Sequence, residues 1–150
     1  MAVVLDTSLL IAAERGQLDL GAFLEGLKDE PVMLAAVTVS ELVHGCHRAG
    51  SAEVAARRAA WVEQVLELFP VAPFGVAEAR RHGELWAALA ARGAVIGAHD
   101  MLVAATAIAQ GAALATLNQK EFARVPGLRL LDVDPGPRPR AEARARPQSR

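Results

Sequence analysis

Short apolar runs of strand length alternate along this chain with longer segments of helical periodicity, and that alternation constrains the fold more than any other feature. Val3, Val4 and Leu5 are too few for a helix, are rich in β-branched residues, and are closed by Asp6-Thr7-Ser8, so they read as a buried first strand. A helix then starts near Ser8. Leu18, Phe23, Leu24 and Leu27 predict a second short amphipathic helix, which Asp29-Glu30-Pro31 ends because proline cannot continue one. Residues 32–37 read as the second strand.

Thr38-Val39-Ser40-Glu41 has the spacing of a capping box and is expected to open a helix through about residue 47. Val54, Trp61, Val62, Val65, Leu66 and Leu68 share one face of a long helix over 52–68, with Arg57, Arg58 and Glu63 elsewhere. Residues 69–74, broken by Pro70 and Pro73, suit an edge strand. A further helix is expected over 76–91 with Gly93 as its stop, and His99-Asp100 leads into an alanine-rich helix ending at Gly111. Residues 112–116 and 128–133 read as strands, with a helical turn over 118–124 between them. The pattern predicts one α/β domain over residues 1–134, a central, mostly parallel sheet flanked by helices. Residues 135–150 carry Pro135, Pro137, Pro139 and Pro147 among Arg138, Arg140, Arg144, Arg146 and Arg150, without apolar periodicity, and are expected to form a disordered basic tail.

The formal net charge of −1 supplies no general attraction for nucleic acid, so any basic binding surface must come from local clustering. Cys46 is the only cysteine, which excludes an internal disulfide and a cysteine-based zinc site and suits a reducing compartment. The first apolar run lacks a preceding basic stretch and is interrupted by Asp6, so it is a poor signal peptide. The apolar stretch 101–109 is about half the roughly 20 residues that a membrane-spanning helix needs. A cytoplasmic protein without a membrane segment is expected.

Ligands of open parallel sheets bind beyond the carboxyl ends of the strands, where Asp6, Glu41 and Asn118 are expected. Asp100 sits in the first turn of its helix. Each acid has a plain structural reading: Asp6 as an N-cap, Glu41 as half of a capping box, Asp100 as a charge favourable to the helix dipole. Together they point elsewhere. Acids embedded in VVLDTSLLI and GAHDMLVAATAIA must be solvated, paired or metal-bound to avoid a large desolvation cost. Converging carboxylates repel one another unless a cation neutralises them, and oxygen-only ligands favour magnesium or manganese. Such an ion supports hydrolysis of a phosphodiester.

The segments VVLDTSLLIA, AAVTVSELVHG, IGAHDMLVAATAIAQGAALAT and TLNQKEFARVPGL, in this order, resemble the PIN domain, in particular the VapC-type toxins of bacterial toxin–antitoxin pairs. The resemblance extends to about residue 133. It implies a metal-dependent endoribonuclease whose principal metal-site acids are Asp6, Glu41 and Asp100, using Mg2+ or Mn2+, with Thr7 or Ser8 orienting a ligand or water. It also implies RNA as substrate, a VapB-type antitoxin as partner and a homodimer. One departure stands out: where members often have a fourth acid, this chain has Asn118, with Glu121 three residues on. Asn118 is the favoured catalytic candidate there, Glu121 the alternative.

Other residues carry weaker signals. His44 and His47 lie one turn apart, but three or four ligands are usual for a metal. His99 has two readings, a contact to substrate phosphate or a turn histidine satisfying local backbone groups, and is left out of the catalytic set. Arg15, Arg80, Arg81, Arg92 and Lys120 are dispersed as on a solvated face, and Trp61, Trp86, Phe23, Phe69 and Phe74 read as core or dimer contacts. A dehalogenase-like phosphatase would want a second Asp where Ser8 stands. A PIN-like RNA- or protein-binding module without activity is the non-enzymatic alternative, suggested by Asn118.

Overall fold

The computed structural model describes residues 1–134, and the expected tail over 135–150 lies outside the described residues. The elements run β1 (Val3–Leu5), α1 (Thr7–Glu14), α2 (Leu20–Gly26), β2 (Val32–Ala35), α3 (Ala36–His47), α4 (Ala52–Leu68), β3 (Val71–Ala72), α5 (Val76–Ala91), α6 (Ala98–Ala109), β4 (Ala113–Ala115), α7 (Gln119–Phe122) and β5 (Leu130–Leu131). All strand pairs are parallel, in the order β3-β2-β1-β4-β5. The expected α/β architecture is therefore present, and the proline-flanked strand β3 sits at an edge as anticipated.

Burial on both sheet faces explains the unbroken apolar character of the strands. On β1, Val4 packs with Leu85 and Leu89 of α5 and Val103, Ala104 and Ala107 of α6. Its neighbours Val3 and Leu5 face the other way, among Leu9 and Leu10 of α1, Leu42 of α3, and Val62 and Val65 of α4. The small side chains of α6 are thus core residues. Ala104, Ala105 and Ala107 are fully buried, so they are not available as an interface between copies.

Helices α4 and α5 have the bounds that periodicity predicts, and Gly93 and Gly111 adopt φ of +63° and +62° in the turns beyond α5 and α6. The expected capping box at Thr38 does not form. Helix α3 begins directly after β2 with Ala35 as N-cap and no side-chain capping bond, and Thr38 is inside the helix. Strand β2 pairs with β3 only through Leu34 and Ala35, so the ladder ends there and Val37, a residue of strand-forming type, packs against the core from a helix. Strand β5 is likewise shorter than 128–133.

Candidate active site

Strand β1 lies between β2 and β4, and the chain winds outward from it in both directions, so β1 and β4 flank the topological switch point. A crevice opens beyond their carboxyl ends in such sheets. The register Leu5↔Ala115 places Asp6 beside Thr116 at that edge, where the Asp6 amide donates to the Ala115 carbonyl at 2.9 Å.

Asp6 is the N-cap residue of α1 by position, but its carboxylate makes no capping bond. Instead Oδ2 accepts from Ser8 Oγ and Thr116 Oγ1, each at 2.7 Å. Those hydroxyls are tied in turn: Ser8 Oγ accepts from the Leu117 amide at 3.1 Å and Thr116 Oγ1 from the Asn118 amide at 2.9 Å. The two strand exits are thereby joined around one carboxylate oxygen. Oδ1 has no hydrogen-bond partner among the described residues, although Asp6 is only 5% exposed. Sequence reasoning missed Thr116. A hydroxyl ending an apolar strand was its only signal, and the pairing that makes it matter depends on register.

Glu41 stands in the second turn of α3, where Oε1 accepts from Thr7 Oγ1 at 3.0 Å. Thr7, which follows Asp6, thus orients the second acid while Ser8 holds the first. His99 Nδ1 lies 3.9 Å from Glu41 Oε2.

Asp100, in the first turn of α6, has no side-chain hydrogen bond among the described residues. Burial, followed by the like charges of Asp6, Glu121 and Glu41, pushes its carboxyl up from 3.8 to about 6, with His99 acting in the opposite direction. Glu121 is fixed by the Gly97 amide at 3.0 Å and by Asn118 Nδ2 at 3.1 Å. Gly97, the N-cap of α6, lies against both acids: a Cβ there would make ordinary contacts with Asp100 Oδ2 at 3.5 Å and Glu121 Oε1 at 3.8 Å.

Asp6, Thr7, Ser8, Glu41, Asp100 and Asn118 line one open cavity of about 350 Å³, whereas Glu121 is not part of its lining. Among the described residues no three acids, histidines or cysteines form a ready-made metal cage. Mutual repulsion disfavours close approach of uncompensated carboxylates. The donor chemistry nonetheless fits a hard divalent cation: the acids offer only oxygens, one Asp6 oxygen is unpartnered among the described residues, and burial with the like charges of its neighbours outweighs the opposing effect of His99 at Asp100. His44 lines an adjoining groove, apart from this cavity. Phe74, His82 and Trp86 form a row of rings, with centroids 6.0 and 5.8 Å apart, in which Phe74 and Trp86 are exposed and so are not core residues.

Comparison with known proteins bears on the family and the fold. The PIN domain family matches residues 3–128. Ribonuclease VapC1 of Rickettsia felis is 35% identical over 133 residues, covering 89% of this chain and 97% of that protein. The tRNA(fMet)-specific endonuclease VapC of Salmonella typhimurium is 29% identical over 106 residues, covering 71% of this chain and 78% of that protein. Among solved structures, the VapBC2 complex of Rickettsia felis bound to a DNA fragment from its promoter contains a chain that superposes with a TM-score of 0.82 at 29% identity, covering 89% of this chain and 100% of that one. DNA-bound VapBC from Salmonella typhimurium gives a TM-score of 0.80 at 26% identity, covering 88% of this chain and 98% of that one.

Proposed function

The chain belongs to the PIN domain family, and from that premise we propose that it is a divalent-metal-dependent endoribonuclease of the VapC type, restrained by a cognate VapB-type antitoxin. The observation that carries the catalytic reading is the Asp6 carboxylate: nearly buried at the switch point, anchored through Oδ2, and left with Oδ1 unpartnered in a cavity that Glu41 and Asp100 also line. Asp6, Asp100 and Glu41 would hold the ion, with magnesium or manganese the hard cations such a donor set favours. When bound, the cation supplies neutralisation of phosphoryl charge and activation of the attacking water.

The remaining residues position this set. Ser8 and Thr116 fix Asp6, and Thr7 fixes Glu41. Asn118 turns its amide nitrogen to Glu121, leaving its carbonyl oxygen for water or substrate. Glu121 contributes its charge to Asp100 from outside the cavity lining, which supports Asn118 as the residue nearer the reacting phosphate. RNA as substrate and a VapB-type antitoxin as partner follow from the ribonuclease relatives and the VapBC complexes of the same fold. A homodimer is supported by the exposure of Phe74, Val76 and Trp86 on and beside α5. The single cysteine supports a cytoplasmic setting; among the described residues no helix is long and apolar enough to cross a membrane.

The test is cleavage of total cellular RNA by antitoxin-free protein with added magnesium or manganese, compared with chelator and with Asp6→Asn. Cleavage by the wild type with metal alone is expected. Bound metal without cleavage in any lane would favour the inactive binding module, the reading to which Asn118 in place of a fourth acid lends support.

A further inference from the structure

Beside the carboxylate cavity lies a second groove of about 470 Å³, lined on its far side by Arg15, His44, Arg48 and Arg58. The two share Thr7, Ile11 and Glu41 as walls, so they adjoin. The charge changes sign across that boundary: acids on the Asp6 side, arginines on the other. Arg58 is held in place, its Nη1 donating to the Gly45 carbonyl at 3.2 Å and its Nε lying 3.5 Å from Glu14. Arg15 and Arg48 are exposed and have no ion-pair partner among the described residues.

Arg15 and Arg48 are the C-cap residues of α1 and α3, where a cation is also favoured by the helix dipole. That accounts for each arginine alone. It does not account for two helices ending so that both guanidinium groups line one groove that adjoins the candidate active site, in a chain whose net charge is −1.

Resting on the nuclease reading above, we propose that the groove is the track of the substrate strand. With the scissile phosphate in the carboxylate cavity, the single-stranded RNA backbone crosses Thr7 and Glu41, and Arg15 and Arg48 hold phosphates flanking the cleaved one. Guanidinium groups suit this task because they pair with phosphate oxygens in a planar fork. The contacts carry register and affinity, not base identity. An acidic segment of a protein partner is the competing occupant. The shared walls favour RNA, because a nuclease site must admit the strand on at least one side of the bond it cuts.

The experiment measures binding of a short labelled single-stranded RNA by fluorescence anisotropy across a salt series, in an Asp100→Asn background with magnesium. Adding Arg15→Ala and Arg48→Ala should weaken binding at least about tenfold and flatten the slope of log K against log salt by about 1.4, since each single-strand phosphate contact contributes about 0.7. Arg15→Lys with Arg48→Lys should restore much of both, and Arg92→Ala, outside the groove, should change neither. With Asp100 intact, the double alanine variant should raise KM for RNA more than it lowers kcat. Unchanged affinity and slope would overturn the proposal, as would loss of antitoxin binding with RNA binding intact. Wild-type hydrolysis of bis(p-nitrophenyl) phosphate with manganese separates the two levels. If it occurs and the slopes coincide, the groove proposal alone falls; if the wild type hydrolyses neither this diester nor RNA, the nuclease reading falls and the groove with it.

Discussion

Replacing Asp100 with asparagine should make the metal-free protein more stable, although the same change removes a candidate metal ligand. The carboxyl of Asp100 is raised from 3.8 to about 6, foremost by burial and then by Asp6, Glu121 and Glu41. At about 1.36 kcal/mol per pH unit, that displacement sets a ceiling of about 3 kcal/mol. The side chain is only half-buried, and solvent screening reduces such interactions, so about 1 to 1.5 kcal/mol is the working figure. For a domain of this size that is roughly 3–5 °C in Tm.

The dependence on pH follows from the direction of the shift. An acid whose folded-state pKa lies above its unfolded value favours the native state while protonated, and that advantage is lost as pH rises through the folded value. Wild type and Asp100→Asn should therefore melt together below about pH 4, diverge between about pH 4 and pH 6, and stay apart above that. The assay is thermal unfolding followed by circular dichroism across that range in EDTA. Added magnesium should then stabilise the wild type more than the variant, because ligand binding to the native state adds to its stability. A variant no more stable than wild type at neutral pH in EDTA, or a difference independent of pH, would refute the electrostatic reasoning.

Two further outcomes probe the supports of the site. Thr116→Val removes the 2.7 Å donor to Asp6 Oδ2 and the acceptor of the Asn118 amide. It should cost about 1–3 kcal/mol in urea unfolding, and full wild-type stability would show the hydroxyl to be idle. Glu121→Ala removes one of the charges acting on Asp100, so NMR titration of metal-free protein should find the Asp100 carboxyl below its wild-type value of about 6. An unmoved titration would mean that Glu121 does not act on Asp100.

Much of the architecture was legible because burial on both faces leaves a parallel strand no polar positions, as Val3-Val4-Leu5 and Ala113-Leu114-Ala115 show. Helices α4 and α5 were legible through periodicity, and α5 also through its glycine stop at Gly93. The start of α3 was not, because a capping-box spacing can occur where the ladder has already ended and tertiary packing sets the helix boundary. Asp6 and Asp100 were legible as acids where their apolar surroundings disfavour charge, although neither caps its helix through its side chain.

By itself, the sequence determined an alternating α/β chain with Asp6, Glu41 and Asp100 as its candidate acids, because strand length, periodicity and unsupported charge are local properties. Tertiary structure decided the rest. The parallel register brought Thr116, 110 residues away in sequence, onto the Asp6 carboxylate. Chain folding placed Glu121 against Gly97 and turned the ends of α1 and α3 toward one groove. Those contacts depend on distances through space between residues remote in the chain, which no local pattern encodes.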